Sequence, residues 1–74
     1  MEYDIDIEGR GFYSLTAMTA SATKWMRRVE GFNGTVAYCG DANYARDIAD
    51  GALAEGLLVH VNGKPYLGDN RRAA

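Results

Sequence analysis

From Glu2 to Glu8 the chain alternates acidic and apolar side chains without a break. Successive side chains of a strand point to opposite faces, so this pattern predicts a strand that buries Tyr3, Ile5 and Ile7. Glu2, Asp4, Asp6 and Glu8 then line the other face, roughly 6.5 Å apart, as a regular negative ladder. Gly9 and Gly11 allow positive φ and residues 12–18 are β-prone, which predicts an N-terminal hairpin. From about Thr19 the period changes. Ala22, Trp25, Met26 and Val29 recur at helical spacing, with Thr19 or Ser21 as a start signal and Gly31 as a stop. Lys24, Arg27 and Arg28 occupy the other face of that helix.

Phe32-Asn33-Gly34 reads as a turn and residues 35–39 as a third strand. Asp41 is a good N-cap for a second helix, whose apolar stripe is Ala45, Ile48, Ala49, Ala52 and Leu53 and whose stop is Gly56. Gly51 inside that helix costs about 1 kcal/mol relative to Ala, so its expected use is the close approach of a neighbour. Asp47, Asp50 and Glu55 carry the acidic character onto the polar side of this helix. Residues 57–61 form a near-continuous apolar run suited to a well-covered strand, and Asn62-Gly63 is a strong hairpin signal. The return strand, residues 64–67, contains Pro65 and is expected at a sheet edge.

The order ββαβαββ predicts an α+β fold, a single small domain over residues 1–68 with a mostly antiparallel sheet and two helices packed on one face. If the two strands of the central strand–helix–strand unit were parallel, a right-handed crossover would join them. Residues 69–74 are expected to be a frayed polar tail. The expected core is Tyr3, Ile5, Ile7, Leu15, Trp25, Met26, Val29, Val36, Ile48, Ala49, Leu53, Leu58 and Val61.

Composition narrows the function classes. A chain of 74 residues has room for one core only. Its net charge of −2 does not suggest generic nucleic-acid affinity. The single cysteine forms no internal disulfide, and no apolar run reads as a leader or membrane span, so a cytoplasmic protein is expected. Stability at this size must come from packing or from association, which leaves room for a homodimer.

Cys39 precedes a helix start, where the helix dipole favours a thiolate, and a cysteine-dependent enzyme would need His60, the sole histidine, as its base. The two meet only if their strands are neighbours, and burial is the ordinary role of a lone cysteine. Asp4 and Asp6 have a spacing that can hold a divalent ion but no evident third ligand, so neither a metal nor another cofactor is expected. A nucleic-acid-binding module would use Lys24, Arg27 and Arg28, helped by Arg10, Lys64, Arg71 and Arg72, with Phe12, Tyr13, Tyr38 and Tyr66 as stacking surfaces. The acidic ladder opposes that use, so direct nucleic-acid contact is not expected. The ladder itself has a second reading, because charges on an exposed edge strand discourage aggregation.

With Glu2, Asp4, Asp6 and Glu8 on the first strand and Asp47, Asp50 and Glu55 on the second helix, the chain resembles small phage and mobile-element proteins of the anti-CRISPR type. That resemblance lies in overall style, an acidic and tiny α/β domain, and in no shared motif. It implies stoichiometric, non-catalytic inhibition. The seven acids would bind a basic, nucleic-acid-handling surface of a host protein complex such as a CRISPR effector, in the cytoplasm of a bacterial host.

Overall fold

The computed structural model of the chain describes residues 3–68. Glu2 and the tail at 69–74, with Arg71 and Arg72, lie outside the described residues. The elements are β1 (Ile5–Arg10), β2 (Phe12–Ala17), α1 (Ala20–Glu30), β3 (Val36–Cys39), α2 (Ala42–Ala54), β4 (Val59–Val61) and β5 (Lys64–Pro65). The fold is therefore α+β, with a five-stranded sheet in the order β3-β2-β1-β4-β5. Only β1 and β4 pair in parallel; the other neighbours are antiparallel. Of the two central strand–helix–strand units, β2 and β3 around α1 are antiparallel, whereas β3 and β4 around α2 run in the same direction with β2 and β1 between them, so the condition for a crossover is met only at α2.

The order corrects one reading of the acidic ladder. Strand β1 has hydrogen-bonded neighbours on both sides, so its acids do not protect a sheet edge. That task falls to β5, which contains Lys64 and Pro65.

Local chemistry explains the element ends. Thr19 Oγ1 accepts from the Ala22 amide, and α1 closes at Gly31, whose φ of 73° no side chain opposes. Asp41 accepts from the Asn43 amide to start α2. Asn62 and Gly63 both have positive φ, as a two-residue hairpin with the twist of its strands requires. The Asn62 side chain does a second job: its Oδ1 accepts from the Gly9 amide and its Nδ2 donates to the Gly9 carbonyl, extending the β1–β4 ladder past Val61.

One face of the sheet is covered. Ile5, Ile7, Leu15 and Val59 lie fully buried with Trp25 and Met26 of α1 and Ile48 and Ala49 of α2. A Cβ on Gly51 would sit 3.3 Å from Cζ2 of Trp25, so this glycine lets the helices approach over the indole. Tyr44 of α2 also ties the helices by donating to Glu30, and this bond to a carboxylate raises the Tyr44 pKa.

Four expected core positions are not in the core. The chain bends at Asp4, and the Tyr3 ring stacks on His60 with centroids 4.0 Å apart instead of joining Ile5 and Ile7. Val29, in the last turn of α1, is 52% exposed, and Phe32 packs against the core after the Gly31 turn. Val36 falls on the uncovered face, because it pairs with Thr16. Leu58 precedes the short strand β4 and is exposed, so the apolar run at 57–61 contributes only Val59 to the fully buried set. Leu53 and Val61 pack at the rim, while Ala17, Ala22, Ala37, Cys39, Ala45 and Ala52 complete the core.

Candidate functional site

Neither helix covers the second face of the sheet, and the strand register determines what it displays. Directly paired residues share a face. One row therefore runs Val36, Thr16, Asp6, His60, Pro65 from β3 to β5, and the next runs Tyr38, Ser14, Glu8 from β3 to β1. Phe12, paired with Arg10, extends the second row's aromatic end: its ring stacks on Tyr38 with centroids 6.0 Å apart. Both rings are 63% exposed. Tyr3 and His60 form the second stack on this face, on the far side of the acids.

Asp6 and Glu8 lie between these two aromatic pairs. A hydrogen bond with the Asp6 carboxylate, followed by its negative charge, raises the Glu8 pKa. Glu8 thus holds its proton more firmly than an isolated carboxyl does, as expected beside a second carboxylate. Among the described residues neither has a basic side chain within ion-pair distance.

The other acids have different surroundings. The Asp4 carboxylate is committed to the fold: Oδ1 accepts from the Thr19 hydroxyl at 2.6 Å and Oδ2 from the Leu58 amide at 2.9 Å. Those bonds, the Leu58 amide foremost, lower its pKa. The ladder of carboxylates on one open face is thus reduced to Asp6 and Glu8 among the described residues. On α2, Asp50 accepts from the Tyr66 hydroxyl at 2.7 Å and Asp47 is exposed, while Glu55, the residue that caps the helix C-terminus, pairs with Arg28 at 3.4 Å. Helix α2 packs on the covered side of the sheet, so its acids and the Asp6–Glu8 pair form two separate surfaces.

The structure also separates the groups that a cysteine-dependent enzyme would unite. Cys39 is buried on the covered face, its thiol 3.7 Å from the Asp41 carbonyl, whereas His60 stacks on Tyr3 on the open face. Strands β2 and β1 stand between theirs, which puts about 14 Å between the strand axes. Among the described residues no three metal-ligating side chains cluster. The basic residues Lys24, Arg27 and Arg28 are exposed on α1, on the helical side of the molecule.

Comparison with family models, with curated proteins and with solved structures gives no match. Among the described residues no helix is long and apolar enough to cross a membrane. The sequence names Phe12 and Tyr38 as stacking surfaces, but their pairing beside the acids and the Tyr3–His60 stack are not evident from it, although a signal exists for Phe12. Phe12 has the same parity as Ser14 and Thr16, the polar positions of its strand, so alternation alone assigns it to the uncovered side.

Proposed function

We propose that the protein is a non-catalytic binding protein that docks its open sheet face onto a basic, nucleic-acid-handling surface of a host effector complex. The observation that carries this reading is the pair Asp6 and Glu8, carboxylates two residues apart on a central strand, with the exposed Phe12 and Tyr38 rings on one side and the half-buried Tyr3–His60 stack on the other. Like charges held together on a strand oppose folding, and a basic partner relieves that opposition on binding. Tyrosine and phenylalanine beside the acids supply contact area with little entropy to lose, as at other protein interfaces. Arginine-rich channels built for nucleic acid present the complementary charge and also stack on aromatic faces. The resemblance to anti-CRISPR proteins makes a CRISPR effector in a bacterial cytoplasm the first partner to test.

The test is a competition experiment. Purified effector complexes of several types are titrated with the protein, and binding of target DNA is followed by gel mobility. Loss of DNA binding at stoichiometric protein, reversed by raising salt, supports the proposal. Unchanged DNA binding by every complex at saturating protein contradicts it. A second reading draws on the exposed Lys24 and Arg27 of α1, which face away from the acid pair. In that reading the protein itself would retard labelled DNA or RNA, an outcome the same gels detect in lanes without effector.

A further inference from the structure

The two edges of the sheet are not equivalent. Strand β5 is two residues long and contains both a lysine and a proline, which together block the addition of another strand. Strand β3 has the sequence Val-Ala-Tyr-Cys, with neither charge nor proline, and among the described residues no strand pairs with it on its outer side.

Its free hydrogen-bonding groups follow from the register. The Ala17 amide donates to the Thr35 carbonyl at 2.7 Å, which marks that pair as a hydrogen-bonded one. Such pairs alternate along an antiparallel ladder, so Ala37 and Cys39 direct their amides and carbonyls toward β2. Val36 and Tyr38 direct theirs outward.

We infer that β3 pairs antiparallel with β3 of a second copy, with Ala37 on the two-fold axis. In this register Val36 of each copy faces Tyr38 of the other, and the outward groups of both residues form four inter-chain backbone hydrogen bonds. Residue i meeting j while j meets i is the self-complementary contact that a closed two-fold dimer needs. The cross-strand pairs are β-branched against aromatic, a favourable combination. The open faces of the two copies become continuous, and the Phe12–Tyr38 stacks meet at the seam.

Charge permits this arrangement. Five strand spacings separate the two β1 strands, about 24 Å, so the two acid pairs stand well beyond a Debye length at physiological salt. Area sets its strength. Phe12 and Tyr38 at 63% exposure and Val36 at 41% offer on the order of 300 Å² of apolar surface per copy. With the backbone pairing this is a small interface, below the size of stable complexes, so the dimer is weak and forms at high protein concentration.

Sedimentation equilibrium under reducing conditions, from about 1 μM to 1 mM, tests this inference. Wild type should move from 8.1 kDa toward twice that mass. The Val36→Lys, Tyr38→Lys variant should remain monomeric. Val36→Pro removes an amide hydrogen that points away from β2, and it too should be monomeric with an unchanged circular dichroism spectrum. A wild-type mass of 8.1 kDa throughout the range overturns the inference. So does a dimer that persists in both folded variants.

Discussion

Two groups of acids look alike along the chain and differ in space. On α2 and its C-cap, Asp50 receives the Tyr66 hydroxyl and Glu55 faces Arg28, so these carboxylates have work within the fold. On β1, Asp6 and Glu8 face each other, and the contact raises the Glu8 pKa. Asp4, two residues earlier on the same strand run, belongs with the first group, since it holds Thr19 and the Leu58 amide. A regular sequence pattern therefore contains residues with opposite effects on stability. Residues that stabilise the fold need no partner to explain them, and residues that oppose it do.

The largest expected effect comes from the support beneath α2. Trp25 fills the space beside Gly51, so Trp25→Ala should cost about 3 to 5 kcal/mol and loosen α2 together with its acids. Urea denaturation measures this. A loss below about 1 kcal/mol would show that the indole does not couple the helices.

Gly9→Ala ranks next and strikes the other region. Its Cβ would lie 2.0 Å from the Phe12 carbonyl oxygen at a φ of 136°, so the hairpin must distort. A loss on the order of 3 kcal/mol is expected, with disturbed amide signals in β1 and β2 by NMR. Unchanged signals there would mean that Gly9 does not set the hairpin.

Much of the architecture was legible because its signals are local. Thr19, Gly31, Asp41 and Asn62-Gly63 end or begin elements through contacts within a few residues. Gly51 announced a close neighbour, and that neighbour is Trp25. What escaped depends on partners distant in the chain. Asp4 looked like one rung of a ladder because Thr19 and Leu58 lie 15 and 54 residues away. Tyr3 followed it out of the core, since a bend at one residue reverses the alternation for those before it. Strand order was equally hidden. Nothing local indicates that β1 is central, and this placement turns a suspected edge guard into an exposed lane on the middle of the sheet.

The third expected effect separates Asp4 from the acids of β1. Asp4→Ala removes the acceptor of two hydrogen bonds and should destabilise by about 1 to 2 kcal/mol. Its folded pKa lies below the ordinary value of 3.8, so its contribution is present above that pH and is lost as pH falls through the lower folded value. The difference between wild type and variant should shrink in acid denaturation below pH 3.8. A constant difference across that range would show that the carboxylate charge is not involved.

The smallest stability effect has the opposite sign. Glu8 titrates above its ordinary value of 4.5, so as pH rises through this interval the folded state loses stability relative to the unfolded chain. Neutralising its neighbour with Asp6→Asn should leave thermal stability at pH 7 unchanged or slightly raised. A clear fall in melting temperature would place Asp6 with the supporting acids of α2.

Charge reversal in the competition assay tests the central claim most directly. Wild type, the folded Asp6→Lys, Glu8→Lys variant and the folded Asp47→Lys variant are titrated against a responsive effector at low and physiological salt. Reversal on the open face should weaken binding at least about tenfold, with a reduced salt dependence, because two charge contacts become repulsive together. Asp47→Lys should bind within about twofold of wild type. Equal affinity for wild type and the Asp6→Lys, Glu8→Lys variant would contradict the claim that the open face is the docking surface.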